Sequence, residues 1–272
     1  MPEGPEVHRA ARRIGKALEG RVLSRVGFGL DRLLPWERHL EGATTTQVQA
    51  RGKGFLLHFD VGVALYVHLQ LYGRWYVRKA GSWPKTNRSL RAELHTDTHM
   101  ALLYSASDVA ILDPAAQAGH PYLSKLGPDP LDGVVTEDDL RARVADPAFA
   151  RRRLGGLLLD QGFVAGMGNY LRSEVLFAAG LSPGRRPKDL DAAEAEALAQ
   201  ALWTMPRRSF QTGGVTAPPE VVDRGKAAGE PRRQWRHLVF ARAGRPCPRC
   251  GAPIEKLVVA GRRLYACDPC QA

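Results

Sequence analysis

The chain has 272 residues, 44% of them hydrophobic, with 39 Lys and Arg against 28 Asp and Glu, a formal net charge of +11. That content supports two modest cores or one large one and excludes a disordered or low-complexity chain, while the basic excess points to a polyanionic partner, nucleic acid before a membrane surface. No apolar stretch reaches the length of a spanning helix and no signal-peptide pattern precedes the first helix, so the sequence predicts a soluble, intracellular protein with no membrane partner.

The N-terminus reads MPEGPEVHRAARRIGKALEG. Val7, Ala10, Ala11, Ile14 and Leu18 recur at helical spacing, with Arg9, Arg12, Arg13 and Lys16 on the other faces, which predicts an amphipathic helix. Pro5 suits its first turn, and Glu3 and Glu6 lie where the helix dipole favours carboxylates. If Met1 is removed, Pro2 becomes a secondary amine whose pKa, about 8 for a reference α-amino group, is lowered by the positive helix end. A neutral amine attacks electrophilic carbons and forms Schiff bases. The same six residues also read as a Pro-initiated helix start with a capping pattern, and taken alone they favour that plainer reading.

Residues 21 to about 112 carry short runs rich in Val, Leu, Phe and Tyr, such as GFLLHFD, ALYVHLQLYGRWYV and ALLYSASDVAILD, broken by Gly, Asp and Pro. This pattern predicts an all-β segment. LGPDPLDG at 126–133 reads as an interdomain hinge, followed by an N-cap signal at Thr136 ahead of acidic residues. Helical patterns run through 136–210, with ALAQALW at 197–203 the clearest. Within them, VAGMGN sets Gly166 and Gly168 around a tight turn, with Asn169 opening the next helix. Such a turn beside a helix N-terminus serves equally as a phosphate site or as an ordinary helical corner. Residues 212–236 form a long basic connection, with five Lys or Arg against three acids in 217–236, that either covers a bound group or stays unstructured.

Cys247-x2-Cys250 and Cys267-x2-Cys270 enclose sixteen residues, the spacing of a four-thiolate structural zinc site. The intervening GAPIEKLVVAGRRLYA has a β-rich run, a turn at Gly261 and a second short run, as a zinc ribbon requires. Two disulfides are the alternative, and they need an oxidising compartment.

PEGPEV, RGKGFLLHF at 51–59, HLQLYGRW at 68–75, LGPDPL, DQGFVAGMGNYLRSE and the closing CPRC…GRRLYACDPCQ occur in one order across nearly the whole chain. Together they resemble the formamidopyrimidine-DNA glycosylase and endonuclease VIII family of bacterial base-excision repair. Within it, PEGPEV, QLYG and LDQ…GNYLR are similar to the endonuclease VIII branch. The resemblance implies an α+β fold in parts: an N-terminal catalytic β-sandwich with a leading catalytic helix at 1–125, a hinge at 126–135, a helical helix-two-turn-helix domain at 136–236 and a zinc ribbon at 237–272. It implies a bifunctional glycosylase and abasic-site lyase. In such enzymes the mature N-terminal proline attacks C1′ of a flipped damaged nucleotide, expels the base and, through an iminium, permits β- and δ-elimination.

The same resemblance implies the site residues. Pro2 is the nucleophile, Glu3 the acid and base, and Lys53 contacts the phosphate beside the lesion and assists catalysis. Asn169 and Arg262 clamp the same phosphates, with the neighbouring Arg263 the other claimant to the ribbon role. Gln70, Leu71 and Tyr72 fill the gap left by the extruded nucleotide, and Glu6 supports the helix start. Without the family, Lys53 reads as a solvated strand-edge lysine and Leu71 and Tyr72 as strand-pair core. The implied cofactor is one structural Zn²⁺ on Cys247, Cys250, Cys267 and Cys270. The partner is double-stranded DNA with damaged bases or abasic sites, met by a monomer in the bacterial cytoplasm. The Gln-Leu-Tyr wedge favours oxidised pyrimidines, because the purine-preferring branch carries a methionine with separate arginine and phenylalanine fillers. A purine-preferring glycosylase and a non-catalytic damage-binding protein remain the alternatives. A zinc-ribbon transcription factor leaves PEGPEV unexplained.

Overall fold

The computed structural model of the protein describes residues 1–271. The chain forms two compact units, one running to Lys125 and the other starting at Leu126.

The first unit begins with helix α1 (Gly4–Leu18), followed by β1 (Arg25–Phe28), a short α2 (Trp36–Leu40), β2 (Thr45–Arg51), β3 (Gly54–Phe59), β4 (Ala64–His68), β5 (Arg74–Lys79), β6 (Leu90–His95), β7 (His99–Tyr104), β8 (Asp108–Leu112) and α3 (Pro114–Gly119). The strands pair antiparallel in two four-stranded sheets, ordered β1-β6-β7-β5 and β2-β3-β4-β8. Alternation decides what lies between them: Phe55, Leu57, Phe59, Leu65 and Val67 share one core with Leu94, Ala101 and Leu103 of the other sheet. The opposite face, with Leu56, Ala64 and Tyr66, is covered by Tyr122 and Leu123. That double covering is why GFLLHF is apolar without alternation. Val7, Ala11, Ile14 and Leu18 enter the same core, and α1 packs against β2, β3, β5 and β7.

This segment is not purely β. Residues 31–40 fold as a 3-10 turn, Asp31–Leu33, and α2. The helical detour meets a need of edge strand β1, because Glu37 Oε1 accepts the Phe28 N–H at 2.7 Å and Glu41 Oε1 accepts the Val26 N–H at 3.3 Å.

The second unit contains α4 (Glu137–Ala145), α5 (Leu154–Leu157), α6 (Asn169–Ala179), α7 (Ala192–Thr212), α8 (Pro219–Ala227), α9 (Arg232–Trp235) and the hairpin β9 (Glu255–Val259) and β10 (Arg262–Ala266). Thr136 opens α4 through a reciprocal capping box with Asp139. Along β10, Leu264 and Ala266 join the core of the helices, while Tyr265 and Cys267 face a second cluster with Val215, Ala217, Leu238 and Val239. The long connection after α7 is folded rather than free. Val221, Val222 and Trp235 of α8 and α9 pack on that second cluster. The close approach needs Gly225, where a Cβ would stand 2.5 Å from Cβ of Trp235. Among the described residues no helix is long and apolar enough to cross a membrane.

A buried polar knot ties this connection to α6. The Glu174 carboxylate accepts the backbone N–H groups of Leu238, Val239 and Phe240 at 2.8 to 2.9 Å and the hydroxyl proton of Thr216. His237 Nδ1 lies 2.9 Å from Thr216 Oγ1, so with that hydroxyl already donating, Nδ1 carries the proton. Its Nε2 is buried with no hydrogen-bond partner among the described residues. Burial first, then Arg236 and Arg232, push His237 down to about 4, against the opposing pull of Glu174. An unfolded histidine titrates near ~6.5, so the unfolded chain binds the extra proton first and stability falls as pH drops from about 6.5 towards 4. Thermal unfolding followed between pH 7.5 and 4.5 is expected to decline more steeply for the wild type than for His237→Gln. Parallel declines would contradict this account.

Candidate functional site

In the first unit the candidate side chains stand at the start of α1 and at two turns of the sandwich. Glu3 is the extended N-cap of α1 and forms a reciprocal capping box with Glu6, whose Oε2 accepts the Glu3 N–H at 3.0 Å. Glu3 is 4% exposed, and Pro2 precedes it half-buried. Lys53 occupies the two-residue turn between β2 and β3, where Arg51 pairs with Gly54. It is 5% exposed, which sets aside the solvated strand-edge reading. Its backbone N–H donates to the Tyr122 hydroxyl at 2.7 Å. Because α1 packs on β2 and β3, the sandwich carries both Glu3 and the Lys53 turn.

Gln70, Leu71 and Tyr72 lie between β4 and β5. Leu71 and Tyr72 are 67% and 71% exposed, so they form a projecting tip and not the core of a strand pair. Gln70 holds a left-handed φ of 50°, a conformation that a non-glycine residue keeps only when its surroundings fix it. Its N–H donates to His68 Nδ1 at 3.2 Å, and Ser107 Oγ donates to its Oε1 at 3.1 Å. Arg88 donates to the Tyr72 carbonyl at 2.6 Å. Burial lowers the His68 pKa, with Asp108 opposing and Lys53 adding, which keeps the imidazole neutral and Nδ1 an acceptor.

In the second unit, the turn before α6 is braced by one side chain. Gln161 Oε1 accepts the Gly166 N–H at 3.1 Å, and its Nε2 donates to the carbonyls of Leu159 and Met167 at 3.1 and 2.8 Å. Gly168 is the extended N-cap, and Asn169 is the first helical residue. One helical turn on, Arg172 is fully buried and donates to Asn169 Oδ1 at 2.8 Å, and to the carbonyls of Gly155, Val259 and Arg263 at 2.8, 3.1 and 3.0 Å. Its longest bond, 3.4 Å, reaches the Arg262 carbonyl. Asn169 is thereby joined to the turn of the β9–β10 hairpin, where Ala260 and Gly261 have φ of 52° and 69° and Arg262 is the first residue after the turn. Arg262 and Arg263 are both exposed at that tip.

The four cysteine sulfurs lie within 4.8 Å of one another, with Cys250 to Cys267 at 3.4 Å and Cys247 to Cys270 at 3.9 Å. A disulfide has sulfurs about 2.05 Å apart, whereas a tetrahedral ion with Zn–S of about 2.3 Å separates them by about 3.8 Å. The donor set fits a closed structural Zn²⁺ site, with all four positions thiolate and none left for substrate.

The sequence-predicted residues thus divide by unit: Pro2, Glu3, Lys53, Gln70, Leu71 and Tyr72 in the first, Asn169, Arg262, Arg263 and the cysteines in the second. Three supporting side chains escaped the sequence reading. Tyr122 and His68 contact their partners only through the tertiary fold. Arg172 had a weak signal, an arginine three residues after Asn169 and so on its helical face.

Three family models match the chain in order. Residues 1–109 match the model of the formamidopyrimidine-DNA glycosylase N-terminal domain, 126–218 that of the formamidopyrimidine-DNA glycosylase H2TH domain, and 244–272 that of a zinc finger found in FPG and IleRS. Endonuclease 8 of Escherichia coli (strain K12 / DH10B) is 44% identical over 271 residues, covering 100% of both chains. Endonuclease 8 of Salmonella agona (strain SL483) is equally similar, at 44% over 271 residues and 100% of both chains. Among solved structures, Lactococcus lactis Fpg (MutM) bound to DNA containing N7-benzyl-Fapy-dG superposes with a TM-score of 0.80 at 21% identity, covering 99% of each chain. MutM bound to DNA with carbocyclic 8-oxo-G gives a TM-score of 0.80 at 21% identity, covering 100% of each. With an end-to-end relative at 44% identity and three family models matched in chain order, the chain belongs to the formamidopyrimidine-DNA glycosylase and endonuclease VIII family.

Proposed function

We propose that the protein is a bifunctional DNA glycosylase and abasic-site lyase of base-excision repair, acting as a monomer in the bacterial cytoplasm on oxidised bases, pyrimidines first. The observation that carries this is the full-length relationship to endonuclease 8, together with a Pro2-Glu3 start anchored on a packed helix. A base stacked in a duplex is out of reach, so the nucleotide is flipped, at a cost of a few kcal/mol that is least for damaged pairs. The exposed Leu71 and Tyr72, with Gln70, suit the gap it leaves.

In the reaction, Met1 is first removed, freeing the Pro2 amine. The amine nitrogen bonds to C1′ as the glycosidic C–N bond breaks and the base leaves with a proton. Glu3 protonates the sugar ring oxygen as the C1′–O4′ bond opens, giving an iminium between Pro2 and C1′. The iminium acidifies the adjacent carbon, so loss of a C2′ proton expels the 3′ phosphate and a second elimination expels the 5′ phosphate. Lys53, Asn169 and Arg262 hold the phosphates beside the lesion. Arg262 takes the ribbon role that the motif resemblance implies, with the neighbouring, equally exposed Arg263 the other claimant. The zinc ion orders the hairpin that carries it.

On duplex with an abasic site, borohydride is expected to trap a covalent protein–DNA adduct. Pro2→Gly retains part of the trapping through its primary amine, whereas an extra residue before Pro2 abolishes it. Undiminished trapping with a blocked terminus would move the nucleophile to a lysine.

Because ribbon folding and metal binding share one free energy, Cys250→Ser is expected to lower zinc content and weaken DNA binding while the first unit stays folded. A zinc-free native protein with oxidised thiols would overturn the zinc assignment.

Single-turnover rates on otherwise identical duplexes are expected to be well above that of 8-oxoguanine opposite cytosine for both thymine glycol and 5-hydroxycytosine. The reverse order would assign the protein to the purine-preferring branch.

A further inference from the structure

Asn169 can serve a phosphate in only one of its two amide orientations. A phosphate oxygen accepts hydrogen bonds and donates none, so the amide must meet it with Nδ2 and keep Oδ1 turned away. Asparagine has no internal preference between the two, and the choice falls to whatever neighbours it. The neighbour is Arg172, which donates to Oδ1 at 2.8 Å. A guanidinium has five donors and no acceptor, so it can hold only the oxygen edge. Both Nδ2 hydrogens are left on the edge facing away from Arg172.

The same fork also holds the other half of the clamp. Its two terminal nitrogens reach the carbonyls of Val259, Arg262 and Arg263, on both sides of the hairpin turn, and that of Gly155 beneath it. A second stitch supports this register: Ser173 Oγ donates to the Asn169 carbonyl and accepts the Tyr265 N–H, each at 3.2 Å. The backbone from which the Arg262 side chain departs is therefore set against Asn169 by one buried planar group. A lysine at position 172 would bring one ammonium, without the planar fork that reaches an amide and several carbonyls at once.

We propose that Arg172 is the positioning residue of the phosphate clamp: it sets the Asn169 amide as a donor and fixes Arg262 in register with it, without touching DNA itself. This rests on the proposed roles of Asn169 and Arg262 as phosphate ligands and adds the group that makes them act together.

The test is a mutant cycle on full-length, zinc-loaded protein, using duplex with a tetrahydrofuran abasic analogue and reading affinity and its salt dependence. Asn169→Ala and Arg262→Ala are each expected to weaken binding and lower the salt slope. If neither does, the phosphate-clamp reading itself fails. Arg172→Lys, which keeps the charge, is expected to weaken binding about tenfold in the wild-type background and to have no further effect in Asn169→Ala/Arg262→Ala. An equal loss in both backgrounds means that Arg172 acts only through general stability, and overturns the proposal.

A second measurement tests the amide directly, without relying on DNA binding. The chain contains two asparagines, Asn87 and Asn169, so selective ¹⁵N-asparagine labelling gives two side-chain amide pairs, assigned by Asn169→Ala. In the wild type the Asn169 pair is expected to be rigid and dispersed. In Arg172→Lys it is expected to collapse towards the position of a mobile asparagine. An Asn169 pair that is the same in both proteins overturns the proposal. If Arg172→Lys does not fold, Arg172→Gln, which keeps an amide donor for Oδ1 but cannot span the carbonyls, takes its place: its Asn169 pair is expected to keep dispersion while DNA affinity falls, and unchanged affinity refutes the clamp role.

Discussion

A chain terminus ordinarily frays, because its few contacts do not offset the entropy of ordering it. In this protein the first residues are held by the burial of α1, with Val7, Ala11, Ile14 and Leu18 inside the sandwich core and Glu3 locked to Glu6 at the helix start. Everything assigned to chemistry in the first unit depends on that helix being seated. It packs on β2 and β3, whose connecting turn carries Lys53, and the sheet's outer face is covered by Tyr122, whose hydroxyl receives the Lys53 N–H. The base of the exposed tip at 70–72 belongs to the same arrangement, since the His68 ring stands edge-on to Tyr122 at 5.2 Å and accepts from Gln70. The N-terminal segment, the Lys53 turn and the exposed tip at 70–72 are thus positioned by one core.

The second unit is organised by the alternation of β10. Leu264 and Ala266 enter the helical core while Tyr265 and Cys267 face the cluster under α8 and α9. A one-residue slip would exchange these faces and carry Cys267 away from Cys250, so hydrophobic patterning and metal geometry enforce the same register. Arg172 adds a polar restraint at the hairpin turn, and Glu174, two residues later on α6, binds Thr216 inside the 212–236 connection and the N–H groups of Leu238, Val239 and Phe240 just beyond it. One helix therefore anchors the ribbon tip and the connection through two buried side chains.

Much of this was legible in the chain. Helical spacing in residues 7–18, the capping signal at Thr136 and the C-x2-C pairs are local patterns, and local patterns survive without tertiary context. The motifs from PEGPEV to GRRLYACDPCQ carried the family, which the full-length relatives and family models show. The detour at 31–40 was missed because the acceptors that Glu37 and Glu41 offer to β1 are visible only once the strand has an open edge to satisfy.

The sequence by itself determined the element pattern, the metal-binding spacing and the inventory of groups able to perform this chemistry, because each depends on residues near one another in the chain. Tertiary structure alone decided which side chains are exposed and how they point. Lys53 became buried and Leu71 and Tyr72 became a projecting tip, against what each reads as in isolation. Residues 212–236 folded because the ribbon presents an apolar surface to Val221, Val222 and Trp235. The orientation of Asn169 depends on Arg172, and the ribbon carbonyls that fix Arg172 lie some ninety positions further on. Exposure and hydrogen-bond direction are properties of neighbours in space, and no periodicity along the chain encodes a neighbour at that separation.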